Sequence, residues 1–334
     1  MFMVNNMKKY SCIICFIFII FLMIAYFFTN MKLKLYSRDI FYMDTYINIK
    51  VYSNKKNIDK ILDNCENIYK TYHELTDRYN SYDGIVNLYY INNNKSDKEF
   101  FVDKKLYDLI GYASSFSKET NGLFDINLGG VIDVWKKYRD NSSGVPSKSE
   151  LKKNVSKDAI VLLGDNKIKN NDINIDLGAV SKGYTTGLVG EYLKSEGIEY
   201  FLINAGGNVL AGKSYNKEYY KIGIQSPNKD GGVIGVVKGV NISVVTSGGY
   251  ERNYQYDGKL YHHIISPKTL FPTDYMKSVT IVSSDSGLAD MLSTTLFLMD
   301  IESGKEFIKK YDAEAIWVDN NDNIIKSDCF DKYE

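Results

Sequence analysis

The chain has 334 residues, 44% hydrophobic and 25% charged, the balance of a globular protein with a core of ordinary size. Lys plus Arg and Asp plus Glu both number 41, so the net charge is zero. That excludes the basic excess of a nucleic-acid binder and the acidic tail that would seek a basic partner.

A short tail, residues 1–9, precedes a run from Tyr10 to Met31 that holds no charged residue and is rich in Ile, Phe, Leu and Met. A helix needs about 20 apolar residues to cross a bilayer. Lys8 and Lys9 stand before the run, as in a signal sequence or signal anchor. A cleavable signal would end in small residues, whereas Tyr26-Phe27-Phe28-Thr29 is bulky. A lipoprotein signal would end in cysteine, whereas Cys12 and Cys15 lie near the start. Residues 10–31 are therefore expected to form an uncleaved transmembrane anchor. Lys32, Lys34 and Arg38 offset Lys8 and Lys9, so positive charge does not set the orientation. The short tail favours a cytoplasmic N-terminus and a domain on the extracytoplasmic face of the cell membrane. Cys12 and Cys15 have Cys-x-x-Cys spacing but no second ligand pair, and Cys65 and Cys329 are far apart, so the cysteines read as incidental thiols.

From residue 40 to 334 no linker or repeat intervenes, and one unit is expected. Ile47, Ile49 and Val51 alternate with polar residues, which predicts a strand. Ile58, Ile61, Leu62, Cys65, Ile68, Tyr69, Tyr72 and Leu75 fall at helical spacing. So do Leu106, Leu109, Ile110, Ala113 and Phe116, with Gly122 placed to end that helix. Ser147 and Glu150 form a capping box. A strand is predicted at Ile173–Leu177, then a helix ending near Gly197. Strand-like runs follow at Phe201–Ile203, Tyr220–Ile224, Val233–Val237 and Ser243–Val245, then a strand at Val279–Val282 and a helix at Leu288–Met299. Consecutive strands argue against a doubly wound parallel sheet and for an α+β fold with largely antiparallel sheets.

Four segments carry chemistry. Residues Gly207 to Ser214 have the letters of a P-loop, but strand-like residues follow where the phosphate-binding helix should begin, so a P-loop is not expected. Asp176 to Tyr184 reads as strand, glycine turn and helix start with Lys182 nearby, a phosphate-compatible corner that structural turns also produce. Asp290 and Thr294 stand i and i+4 on a helix, giving a carboxylate beside a hydroxyl, which suits Mg²⁺ or Ca²⁺. The same pair arises when the threonine bonds back to the Asp290 carbonyl. Two of the three histidines, His262 and His263, are adjacent and on a strand face opposite ways. One is then buried or in a site, and His263 is the candidate base or phosphate contact.

Taken together and in order, these segments resemble the ApbE family of flavin transferases over about Met43 to Met299. Met43-Asp44-Thr45 is similar to the family's opening strand. Arg78-Tyr79-Asn80-Ser81-Tyr82 with Asn87-Leu88, and Gly122-Leu123-Phe124-Asp125 with Trp135 downstream, resemble the flavin-side segments. Asp176-Leu177-Gly178 with Ser181-Lys182-Gly183-Tyr184, Asn204-Ala205-Gly206-Gly207-Asn208, Thr246-Ser247-Gly248, His263 with Pro267, and Ala289-Asp290 with Thr294 resemble five further motifs. The resemblance implies an ApbE-like domain that moves FMN from FAD to a threonine hydroxyl of an acceptor protein, releasing AMP, with Mg²⁺. It implies metal ligation by Asp290, Thr294 and a carbonyl near Ser181. FAD contacts would come from Tyr82 or Tyr79, Trp135, Asp176, Lys182, Gly206, Gly207, Thr246, Ser247, Gly248 and His263, with His263 assisting the hydroxyl. Acceptors of the Rnf or Nqr membrane redox type follow. Gly249, Ser266 and Gly187 stand where the family commonly has acids. An FAD pyrophosphatase and a non-catalytic membrane-anchored FAD-binding protein are the competing expectations.

Overall fold

The computed structural model describes residues 14, 16–21 and 32–334, apart from 95–98, 143, 157, 229 and 230. Residues 14 and 16–21 are helical and their side chains exposed. The rest of the predicted anchor, with Cys12 and Cys15, lies outside the described residues. Among those described, no helix is long and apolar enough to cross a membrane.

The first half forms β1 (Lys34–Tyr42), β2 (Thr45–Ser53), α1 (Ile58–Thr76), α2 (Leu88–Asn93), β3 (Glu99–Phe101), α3 (Lys104–Glu119), α4 (Gly129–Asn141), α5 (Lys148–Lys153), β4 (Val161–Gly164), β5 (Lys167–Lys169) and α6 (Ser181–Ser195). The second half adds β6 (Phe201–Ala205), β7 (Asn208–Ala211), β8 (Tyr220–Gln225), β9 (Val233–Gly239), β10 (Ile242–Gly248), β11 (Asn253–Tyr256), β12 (Lys259–His262), β13 (Ser278–Ser283), α7 (Ser286–Phe297), α8 (Ile301–Ile308), β14 (Ala313–Val318) and β15 (Ile324–Lys326). An 8-stranded sheet in the order β1-β2-β6-β7-β10-β13-β14-β15 is the frame, and each of its ladders is antiparallel. The sheet takes in Lys34 onward, ahead of the expected boundary at 40.

Strand alternation sorts the faces. Ile47, Ile49 and Val51 of β2 are buried with Ile203 of β6 against Ile61, Leu62 and Tyr69 of α1 and Val189 and Leu193 of α6. Farther along the same face α7 packs Met291, Leu292 and Leu296 with Val245, Val279 and Ile281. On the other face the β8–β9 hairpin lays Ile222, Ile224 and Val237 over Val244, Val282 and Ile316. Cys65 is buried and Cys329 exposed, both as free thiols.

Two expectations are corrected. Residues Ile173–Leu177 are extended but join no ladder. The Asn92 side chain replaces a neighbouring strand, accepting from the Ile175 amide at 2.8 Å and donating to its carbonyl at 3.0 Å. Met43 and Asp44 form a turn between β1 and β2 with φ of 54° and 57°, and the strand begins at Thr45. Residues Asn208–Ala211 of the P-loop lookalike are β7, and the next named element is strand β8, as expected.

Gly206 and Gly207 make the two-residue β6–β7 turn with φ of 58° and 89°, the left-handed geometry that suits such hairpins. A methyl at Gly206 would overlap Thr45, whereas one at Gly207 would meet nothing within 4 Å. Gly207→Ala should cost about 1–2 kcal/mol of backbone strain. Gly206→Ala, which adds the overlap, should cost about 2 kcal/mol more. Urea unfolding of both variants measures the difference, and equal losses would contradict the packing assignment.

Candidate active site

The site grows from the meeting of two helix starts. The Arg78 guanidinium is buried and grips three partners: Asp176, Asp133 at 2.7 Å and the Gly129 carbonyl at 3.0 Å. Burial works against its charge, but Asp176 and Asp133 outweigh this and hold its pKa above the ordinary arginine value. The other Asp176 oxygen accepts from the Gly178 amide at 2.8 Å. Asp176 therefore shapes the turn into α6 with both oxygens.

At the first turn of α6 the Gly183 amide donates to Asp290 Oδ2 at 2.7 Å. A side chain at 183 would strike the Ser286 carbonyl and stand 2.5 Å from Asp290 Cβ, so glycine lets α7 come this close. Asp290 is 5% exposed, so it is a buried carboxylate and not a helix-surface one. Burial raises its pKa, opposed by the Lys182 charge and the Gly183 amide. Thr294 does not bond back to the Asp290 carbonyl. Ser293 takes that oxygen at 2.8 Å, and the half-buried Thr294 hydroxyl has no hydrogen bond among the described residues. The Ser181 carbonyl accepts the Thr185 hydroxyl at 2.7 Å. The Asn208 side-chain nitrogen is buried without a partner, while its oxygen accepts from Ser286 at 3.1 Å.

These residues fit a hard divalent cation. Asp290 leaves one carboxylate oxygen without a hydrogen bond, and Thr294 offers a free hydroxyl. Among the described residues no cluster of three or more His, Cys, Asp or Glu side chains could hold a metal. A single carboxylate with neutral oxygens suits Mg²⁺, which completes its shell with water and substrate phosphate.

β10 closes the opposite side. Its Ser247 hydroxyl meets Ser293 of α7 at 2.8 Å, and its Thr246 hydroxyl meets Thr280 of β13 at 2.8 Å. Both hydroxyls are thus engaged inside the protein, and what this strand end offers a ligand is backbone at Ser247 and the buried Gly248. The two histidines separate as expected. His262 is buried, bonded through Nε2 to the Thr273 carbonyl at 2.7 Å and accepting the Ile264 amide at Nδ1 at 3.2 Å. His263 lies against the Arg252 carbonyl through Nδ1 at 3.2 Å, so Nδ1 carries the proton and Nε2 is free to accept one. Burial, then the charges of Arg252, His262 and Lys182, push its pKa down to about 3. Lys182 acts on both Asp290 and His263, which places it between them electrostatically.

Beside His263 a narrow cleft runs between α4 and the β11–β12 hairpin, lined by Trp135, Lys136, Arg139, Tyr254 and Tyr261. Trp135 is 4% exposed, donates to the Leu270 carbonyl at 2.8 Å and stacks on Tyr261 at 5.6 Å. It builds the cleft wall, and Tyr261 covers its face. Tyr82 bonds Asp77 at 2.9 Å and His73 at 3.2 Å, so its hydroxyl is engaged within the protein. Tyr79 is the freer ring: it is 51% exposed, with Arg78 and Lys136 at 5.6 and 5.4 Å from its centre. Sequence reasoning passed over Lys136 and Arg139, although they sit one and four positions after Trp135 on a predictable helix. It also passed over Arg252, for which no motif gave a signal.

A model of the ApbE family matches residues 43–317. The chain belongs to the ApbE family. A Klebsiella pneumoniae protein named FAD:protein FMN transferase is 32% identical over 235 residues, covering 68% of this chain and 72% of that protein. A Treponema pallidum protein of the same name is 31% identical over 233 residues, covering 63% of this chain and 64% of that protein. The crystal structure of the ApbE protein of Thermotoga maritima has a TM-score of 0.81 at 28% identity, covering 90% of this chain and 99% of that one.

Within this ApbE chain the three departures have distinct surroundings. A side chain at Gly249 would stand 2.9 Å from His262 Cδ2, so the imidazole fills the space an acid would need. Ser266 is buried, its amide and carbonyl bonded to Phe271 and Leu270. At Gly187 a methyl would make ordinary contact with Ser286 at 3.7 Å.

The depressed His263 pKa carries a stability consequence. The unfolded chain binds this proton near pH 6.5 and the folded chain only near 3. Folding stability from this residue is therefore full above about 6.5 and is lost as pH falls toward 3. The melting temperature should fall across that window, and His263→Asn should shallow the fall. Parallel wild-type and variant curves would show that His263 is not held neutral.

Proposed function

We propose that this chain is an FAD:protein FMN transferase, joining FMN from FAD to a threonine hydroxyl of an acceptor protein and releasing AMP. The observation that carries it is the buried Asp290 carboxylate held by the α6 amide at Gly183, with Lys182 of the same turn and His263 in one electrostatic field. Asp290, Thr294 and the Ser181 carbonyl would hold Mg²⁺, the last in competition with Thr185. Bound there, the ion supplies charge neutralisation and polarisation at phosphorus.

The chain's own residues do the rest. The α6 start and Lys182 attract the pyrophosphate. Tyr79, between two cations at the cleft edge, offers a ring face to the isoalloxazine. The acceptor hydroxyl oxygen bonds to the FMN-side phosphorus, and the phosphorus–oxygen bond to AMP breaks. His263 accepts the hydroxyl proton at Nε2. A base with a pKa of about 3 is weak, but two of its depressing charges, Arg252 and Lys182, are cations that an anionic pyrophosphate bound beside them would offset. Substrate charge offsets them and strengthens the base when it is needed. Residues 10–31, uncharged and apolar, support a single membrane anchor with the domain outside the cytoplasm, where Rnf- or Nqr-type acceptors carry their flavin.

Mass spectrometry of an acceptor incubated with the enzyme, FAD and Mg²⁺ tests the reading. An FMN adduct with stoichiometric AMP is expected. Rapid AMP release with an unmodified acceptor would make the protein a pyrophosphatase, and no AMP at all would make it a binding module. Asp290→Asn should lower Mg²⁺-dependent transfer by more than about 100-fold. Lys182→Ala should weaken FAD binding by about 10-fold, the loss of one charge-assisted contact. Calorimetry with FAD separates the two effects.

A further inference from the structure

We propose that the end of the sheet where β1 begins is seated on anionic lipid headgroups of the membrane that carries the chain, which holds the candidate active site at the far end, about 30 Å away. That distance is the length of the nine-residue strand β1. The proposal rests on the reading of residues 10–31 as a membrane anchor and is independent of the reaction assigned to the site.

The sheet has two different ends. Asp44, in the turn after β1, pairs with Arg252 at 2.8 Å, and the Arg252 carbonyl accepts from His263 Nδ1. A methyl at Gly206, in the β6–β7 turn, would overlap Thr45 at this same end. A methyl at Gly183, in the first turn of α6, would lie 3.1 Å from the Asn208 side chain at the start of β7. The hairpin tip, the β6–β7 turn and the α6 start therefore gather at the site. At the opposite end Lys34, the first residue of β1, faces Ser53, the last of β2. The Tyr52 amide bonds the Tyr200 carbonyl there at 2.9 Å. α6 runs 15 residues away from the site to reach this root. A methyl at Gly197, just beyond its end, would lie 3.8 Å from Lys55 Nζ.

What covers the root follows from the chain itself. The uncharged run ends at Met31 and β1 begins at Lys34. The Leu33 amide donates to the Tyr215 hydroxyl at 2.9 Å, so Lys32 alone separates the run from a residue fixed to the domain. One extended residue spans roughly 3.5 Å, and with so short a tether the root stays at the bilayer surface. Its chemistry suits that place. Tyr215 packs against Tyr52 and Tyr200, with ring centroids 4.9 and 5.7 Å away, and tyrosine is favoured at headgroup level. Lys32, Lys34, Lys55 and Lys56 are exposed and make no ion pair among the described residues. Glu199 is paired with Lys213 at 2.8 Å. Asp59 in the first turn of α1 and Glu196 just past α6 are the other acids nearby, and the free lysines outnumber them. The excess positive charge lies where lipid phosphates would meet it.

The test uses the full chain in bilayer discs of phosphatidylcholine, with and without phosphatidylglycerol. Cys12, Cys15 and Cys329 are changed to serine. One dye is then placed through Ser195→Cys at the exposed end of α6, or through Glu251→Cys beside Arg252. Energy transfer to a headgroup-labelled lipid reads the height of each dye. In phosphatidylglycerol discs the root dye should sit at least about 20 Å nearer the lipid than the site dye, the rise of α6. Discs of phosphatidylcholine alone should bring the two heights together, because the domain is then free to tilt. Lys34→Glu/Lys55→Glu/Lys56→Glu should do the same in anionic discs, and since all three lysines are exposed the variant should fold. Equal heights for the wild type in anionic discs, or a site dye nearer the lipid, would overturn the proposal. So would heights that the lysine variant leaves unchanged. Alkaline carbonate extraction of membranes reads the anchor separately. A chain released by carbonate would refute the anchor and the seat with it, whereas a chain that resists carbonate but shows equal heights would refute the seat alone.

Discussion

The Asp290 carboxylate lies buried against the first turn of α6 with one amide for company, and a carboxylate so placed is unfavourable until something positive completes its surroundings. Lys182 supplies part of the compensation at a distance, and a bound divalent cation would supply the rest. Placing the charge there demands that two helices approach closely, which only glycine at 183 allows. It also demands that α6 begin at one defined point, and the turn from Asp176 to Val180 provides it.

That turn is held by side chains doing the work of backbone. Asn92 takes both polar groups of Ile175, and Arg78 binds Asp176, Asp133 and the Gly129 carbonyl at once. Removing the guanidinium would leave two acids facing each other in a partly buried space, a change that costs far more than the loss of an exposed pair. Arg78 also flanks Tyr79, so one cation fixes the phosphate corner and borders the proposed flavin face. Tyr79 is the exposed ring beside this corner.

How far the sequence predicts this depends on whether a feature is local. The alternation of Ile47, Ile49 and Val51, the helical spacing in α1 and α3, and the missing helix after the P-loop letters are local, and each appears in the structure. So does the divergence of His262 and His263. The start of β1 was hidden because its alternation is broken by a charge: Arg38 sits between inward positions and pairs with Asp63 and Glu66 of α1. Residues Ile173–Leu177 have strand composition, but composition does not say that an asparagine 83 positions away will satisfy the backbone. Tyr82, Trp135 and Asp176 match family motifs, yet motifs do not show that their polar atoms are already engaged by Asp77, Leu270 and Arg78. The freer groups, Tyr79, Lys136 and Arg252, are legible only once the helices are placed.

The charges around His263 explain why a weak base is compatible with the proposed reaction. In the free protein, burial and the cations at Arg252 and Lys182 keep the imidazole neutral through the whole physiological range. Neutrality is the state that accepts a proton, so no prior deprotonation is needed. In the proposed reaction a bound pyrophosphate would offset the part of the depression that comes from Arg252 and Lys182, while the larger part, from burial, would remain. On that reading, substrate binding would raise the proton affinity of the imidazole. An acid at Gly249 or Ser266 would add a permanent negative charge to this region and raise the basicity of the empty site. Their absence here makes the base depend more heavily on the charge that the substrate brings.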